Sequence, residues 1–149
     1  MRASYIEDAE QWEKGFEFHA DVSVRFSETD MYGHLNNTKV FAYFEYARIE
    51  YLKDLNHMAK WLDPKGLTIP IVADLQCDFV KQVYFDEKLR IYVKANSMGN
   101  SSVDLHYMAK NERNEIVCTG RGAIVQVGRK DGKPVAWTEE EKLVFLKNS

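Results

Sequence analysis

Cysteine is scarce in this chain, long apolar runs are missing, and neither sign of charge dominates. Only Cys77 and Cys118 are present; they lie far apart inside apolar stretches, where a free thiol behaves as a small buried hydrophobe. A disulfide scaffold is therefore not expected. No segment approaches the ~20 apolar residues that a membrane helix needs. Met1–Gly15 carries acids and Trp12 where a signal peptide would be apolar, so a cytoplasmic location is the expectation. The formal net charge of −3 provides no field to gather nucleic acid or an anionic membrane, although a local basic patch could still hold a phosphorylated ligand.

The usual catalytic signatures are missing too. There is no Gly-x-Ser-x-Gly elbow, Walker loop, His-Glu-x-x-His or Cys-x-x-Cys. Gly120-Arg121-Gly122 lies within a strand pattern, not at a strand-to-helix turn, and is no dinucleotide site. His19, His34, His57 and His106 are scattered without metal-ligand spacing, so no metal is expected.

What remains is a soluble, globular composition, 45% hydrophobic and 29% charged, long enough at 149 residues for one domain spanning 1–149. Phe16, Phe18, Ala20, Val22, Val24 and Phe26 alternate with polar residues, the mark of a half-buried strand. A polar loop, Ser27–Asn37, follows. Val40, Phe44, Ala47, Tyr51 and Leu55 then recur at helical spacing, with Phe41, Ile49 and Leu52 widening the apolar face, which predicts a largely buried helix over Thr38–Leu55. The segment around Met58–Leu62 is ambiguous, and Asp63-Pro64-Lys65-Gly66 after it is a turn signal. Alternation resumes in Ile69–Phe79, and further strands are predicted near Lys88–Ser97, Ser102–Lys110 and Glu115–Val127, joined by short connections that suit hairpins. These four strands are expected to form an antiparallel meander. Thr138 with Glu141 three residues on is a capping-box start for a helix to Lys147. The pattern implies an α+β fold, about five antiparallel strands wrapped around one long central helix, with a second copy of the chain covering remaining sheet.

The loop before the buried helix gathers Glu28, Asp30 and His34 beside Gly33. Unpaired N–H groups at a helix start can polarise a carbonyl oxygen while a carboxylate acts as base or nucleophile at its carbon, an arrangement suited to acyl transfer. The same residues also fit a merely structural role, since acids before a helix favour its dipole and Asn caps it.

The order of residues adds to this. Arg25-Phe26-Ser27-Glu28-Thr29-Asp30-Met31-Tyr32-Gly33-His34-Leu35-Asn36-Asn37, continued by Tyr43-Phe44-Glu45-Tyr46-Ala47-Arg48, resembles hotdog-fold acyl-CoA thioesterases of the 4-hydroxybenzoyl-CoA thioesterase type. The element order over Phe16–Val127 resembles theirs as well. The resemblance implies that Asp30 is nucleophile or general base and that amides around Tyr32, Gly33, Leu35, Asn36 and Asn37 bind the thioester oxygen. Asp30, His34, Asn36 and Asn37 also fall on an Asp-x-Asn-x-His-x-Asn-Asn run of the plant acyl-carrier-protein thioesterases, but Tyr32 stands where those have a catalytic Asn. His34 therefore either orients water or substrate, or only closes the loop. Glu45 is either a second acid or the structural partner of Arg48, three residues on.

Lys81, Arg129 and Lys130 are candidates to hold coenzyme A phosphates, with ordinary surface charge as the alternative. The resemblance implies an acyl-CoA substrate, no metal or redox cofactor, coenzyme A only as part of the substrate, and a homodimer at least, with a tetramer expected. Two alternatives stand beside it: the same chemistry on acyl carrier protein, and a non-catalytic acyl-CoA sensor.

Overall fold

The computed structural model describes residues 3–147. Its centre is α2, Asn37–Asp54. Asn36 starts it, with Oδ1 accepting from the Thr38 N–H at 3.0 Å, which satisfies one of the donors that a helix start leaves free. It ends where Asn56 turns left-handed at φ 63° and its N–H and that of His57 close back on the carbonyls of Lys53 and Leu52, the usual way of spending the last carbonyls. Val40, Tyr43, Phe44, Ala47, Arg48, Tyr51 and Leu52 are buried along it. Each large apolar side chain contributes roughly 1.5–3 kcal/mol by leaving water.

Around α2 curls one antiparallel sheet, the α+β hotdog arrangement. Its strands are β1 Phe18–Ser23, β2 Thr68–Val72, β3 Gln76–Phe79, β4 Lys88–Met98, β5 Ser102–Lys110 and β6 Ile116–Gly128. Short helices α1 Ala9–Lys14, α3 Met58–Leu62 and α4 Glu139–Lys147 and a 3-10 turn at Phe26–Glu28 accompany them. The capping box at the start of α4 forms in both directions, between the Thr138 N–H and Glu141 Oε1 at 2.8 Å and between the Glu141 N–H and Thr138 Oγ1 at 3.1 Å.

Two expectations need correction. The sheet order is β1-β4-β5-β6-β2, with β3 also on β6, so only β4, β5 and β6 form a meander; the earlier strand crosses to the far edge. The Ile69–Phe79 strand is split in two, giving six strands instead of five. Asp74 makes the break: its Oδ1 accepts from the Ala123 N–H at 2.8 Å and its Oδ2 from Arg121 Nη1 at 2.8 Å. The apolar alternation runs straight through this point, which is why periodicity does not reveal it. Gly120 and Gly122 let the broken strand pass: a Cβ on Gly120 would overlap Phe44 and come within 2.7 Å of the Gln76 carbonyl, and one on Gly122 would overlap the Asp74 carbonyl.

The outer sheet face is closed by α1. Trp12 and Phe16 pack on Met108. Trp12 Nε1–H donates to Nδ1 of the fully buried His106 at 2.7 Å, and His106 Nε2 faces Asp104 Oδ2 at 3.0 Å. Indole nitrogen can only donate, so His106 is held as the neutral tautomer with its proton toward Asp104. Burial pushes its pKa down, against the raising effect of Asp104. Lys94, also buried, donates to the Trp12 carbonyl at 2.6 Å.

Candidate active site

The loop between β1 and α2 is folded around two carboxylates. Glu28 Oε1 accepts from the Arg25 N–H at 2.9 Å and from Tyr43 Oη at 2.8 Å, while the Glu28 carbonyl takes the Asn36 N–H at 2.8 Å. Glu28 thus ties both ends of the loop to α2. Burial, and then the Glu28 hydrogen bond, push the Tyr43 phenol pKa up, so Tyr43 stays a neutral donor.

Asp30 is held differently. Its Oδ1 accepts from the backbone N–H groups of Tyr32 at 2.8 Å and His34 at 3.1 Å. Its own N–H and carbonyl bond the His34 carbonyl and the Gly33 N–H. Gly33 makes this tight turn at φ 78°, a conformation that costs other residues energy. Asp30 Oδ2 has no partner among the described residues. The His34 ring packs edge-on against Tyr84, centroids 5.1 Å apart.

The five consecutive amides of this turn are not equivalent. Gly33 N–H goes to the Asp30 carbonyl, His34 N–H to Asp30 Oδ1, Leu35 N–H to the Val83 carbonyl at 2.7 Å and Asn36 N–H to the Glu28 carbonyl. The next two along α2, on Thr38 and Lys39, are taken by Asn36. In this run, Asn37, the first residue of the helix, is left with an N–H that has no partner among the described residues. It lines the same cavity as Asp30.

That cavity has a volume of about 640 Å³, within the rough 300–1,000 Å³ range of small-molecule sites. Asp30, Tyr32, His34, Asn37 and Lys81 stand at its mouth, and Val40, Tyr43, Leu89, Ile91, Ala109 and Cys118 line its buried interior. Polar groups therefore sit at the opening, and hydrocarbon lies beyond.

Of the remaining candidates, Lys81 reaches the cavity and Glu45, Arg129 and Lys130 do not. Glu45 has a 66% exposed side chain and lies 4.0 Å from Arg48, whose Nη1 reaches the Tyr107 hydroxyl at 3.3 Å. Arg129 is spent on the carbonyls of Trp61, Gly66 and Asp63 at 2.9, 3.0 and 3.2 Å, a clamp on the loop before β2. Lys130 is exposed and away from the cavity. Lys81 is at the mouth but bonded to Glu115, whose pKa is held well down by Lys81, Asn111 and Arg113. Sequence reading missed the Val83–Tyr84 segment, which docks Leu35 and His34, and the small residues of the floor. Part of the signal for the floor was there: Ala109 is a small residue among bulky ones towards the end of β5, whereas Cys118 sits in a strand that also holds Gly120, Gly122 and Ala123 and so does not stand out.

Among the described residues no three His, Cys, Asp or Glu side chains are placed to share a metal ion, and no helix is long and apolar enough to cross a membrane. Cys77 and Cys118 are free thiols. They are neighbours across β3 and β6, and the Cys77 thiol and burial raise the Cys118 pKa.

Comparison with known proteins places this geometry. Residues 24–145 match the thioesterase-like superfamily. An uncharacterized Bacillus subtilis protein, YsmA, is 47% identical over 137 residues, 92% of this chain and 90% of the relative. The acyl-CoA thioesterase YbgC of Haemophilus influenzae is 26% identical over 136 residues, covering 89% of this chain and 96% of the relative. A 1,4-dihydroxy-2-naphthoyl-CoA thioesterase from Synechocystis, at 12% identity, shares the fold with a TM-score of 0.78, over 87% of this chain and 95% of its own.

Proposed function

The chain belongs to the thioesterase-like superfamily, and from that premise we propose that it hydrolyses an acyl-CoA thioester to the free acid and coenzyme A. One observation carries the reading: at the mouth of an apolar cavity, a carboxylate oxygen without a partner among the described residues stands in the same lining as the Asn37 amide at the α2 N-terminus, likewise without one. The thioester oxygen accepts from Asn37 N–H, where the helix dipole favours the negative charge that develops there. Asp30 Oδ2 works at the carbonyl carbon. As general base it takes a proton from water, whose oxygen bonds to the carbon while the C–S bond breaks; the proton ends on the departing thiolate. As nucleophile it bonds to the carbon while the C–S bond breaks and the thiolate leaves, giving a mixed anhydride; water then opens the anhydride to the free acid and the Asp30 carboxylate, and the proton released goes to the thiolate. The two amides on Oδ1 hold the carboxylate in place for either route. His34 lines the mouth and orients water or substrate there. Lys81 is positioned to meet the coenzyme A portion.

Exposed apolar groups around the mouth and edge, Met31, Tyr32, Phe79, Val80, Ile71 and Val72, support a dimer in which a second copy covers β2 and β3. Mass measurement by light scattering in solution tests this; a monomer at working concentration would overturn it.

The functional test is thiol release from a panel of acyl-CoAs by the wild type and by Asp30→Asn. Turnover that collapses in a folded variant still able to bind supports the hydrolase. Saturable acyl-CoA binding with no turnover on any substrate makes the chain a sensor.

A further inference from the structure

Resting on the hydrolase reading of this site, the sheet register defines what the cavity can hold. Ile91, Ala109, Cys118 and Phe79 form one cross-strand row over β4, β5, β6 and β3, and all four line the cavity. The two central members are small, so the row is a trough with large walls. The next row along the strands, Val93, Tyr107, Gly120 and Cys77, contributes nothing to the lining. There Phe44 lies over Gly120 and stacks on Tyr107 at 4.6 Å and 11°, which closes the space.

Polar atoms in this buried end are few and engaged. Tyr43 Oη donates to Glu28 at 2.8 Å. The Cys118 thiol, a weak hydrogen-bonding group in any case, lies against that of Cys77. A hydroxyl carried to the floor would lose its water and find no good partner, which disfavours it by roughly a factor of ten to a hundred. We propose that the substrate's acyl group is an unsubstituted hydrocarbon, not a hydroxylated aromatic, and that Ala109 and Cys118 are the specificity residues that set how far it reaches.

The test uses stable thioether analogues, S-alkyl-coenzyme A of two to ten carbons with and without a terminal hydroxyl, measured by calorimetry against the wild type, Ala109→Leu and Cys118→Ala. Hydrolysis of the matching thioesters, and of benzoyl- against 4-hydroxybenzoyl-CoA, is followed in parallel. The wild type should bind the plain chain at least tenfold more tightly than its hydroxylated twin at the length that reaches the floor. Ala109→Leu should weaken the longer chains about tenfold or more and leave S-ethyl-coenzyme A unchanged. Cys118→Ala, which only removes bulk, should lengthen the longest chain accepted and carries the test if Ala109→Leu fails to fold. Equal affinity for plain and hydroxylated chains at every length, or the same loss at every length in the variants, overturns the proposal. A plain-chain preference without hydrolysis supports the apolar floor and overturns the hydrolase reading alone.

Discussion

The chain contains two aspartate–histidine neighbourhoods, and they make opposite use of the same groups. Asp104 and His106 lie under α1 with the ring fully buried, one nitrogen facing Asp104 and the other accepting from the Trp12 N–H; Arg121 Nε donates to Asp104 Oδ1 at 2.9 Å. Asp30 and His34 sit at a cavity mouth, half-buried, with one carboxylate oxygen spent on amides and the other open. Distance between imidazole and carboxylate would nominate the first pair as catalytic. Available valence nominates the second. A group can react only with what its neighbours leave unsatisfied, and complete satisfaction is the mark of a structural pair.

The largest effect should separate the two pairs outright. Asp30→Asn should lower kcat by about 10²–10⁴-fold with an unchanged melting temperature, measured by thiol release and thermal unfolding. A variant that stays active would break the assignment. Asn37→Pro sharpens it from the other side. Asn36 already has ψ 129°, which a following proline requires, and the first helical position tolerates proline. Because the Asn37 N–H has no partner to lose, the fold should keep its stability while kcat falls by about 10²–10³-fold.

His106→Ala should do the reverse: a loss of about 2–4 kcal/mol in urea unfolding, from the orphaned Trp12 and Asp104 partners and the void left behind, with kcat of the folded enzyme unchanged.

Much of this was legible beforehand, but unevenly. The central helix appeared within one residue at each end because its periodicity, cap and stop are local in sequence. The turn of the candidate site was legible as a loop because Asp30, Gly33 and His34 are neighbours in sequence. The crossing of β2 to β6 and the break at Asp74 were not, since both depend on partners about 50 residues away. The single free amide was hidden for a similar reason: occupancy of Leu35 N–H is decided by Val83. The histidines other than His34 carry no pattern once metal spacing is ruled out, and the sequence offered nothing to join Trp12 to His106.

Acid should expose a third histidine. His57 is buried and stacked between Trp61 and Phe145 at 5.6 and 4.5 Å, and burial, then Lys60, lower its pKa from 6.5 to about 4. On acidification the unfolded chain takes the proton first. The stabilisation is therefore complete above about pH 6.5 and is lost as pH falls toward 4, up to about 3 kcal/mol. His106, depressed in the same direction, adds to the slope. Unfolding free energies between pH 7.5 and 5 check this, and His57→Phe should flatten the curve. The smallest effect is Asn36→Ala, which removes the cap and costs about 1 kcal/mol in thermal unfolding.

The strap formed by α1 has a practical consequence for anyone shortening the chain. A fragment beginning after Phe16 would keep every residue of the cavity. It would also turn a dry wall into bare sheet: Tyr92, Met108 and Ile116 would meet water, and the Lys94 ammonium would lose its carbonyl. Such a fragment should precipitate before its chemistry can be assayed, so an inactive preparation of it would report on the back of the sheet and say nothing about Asp30.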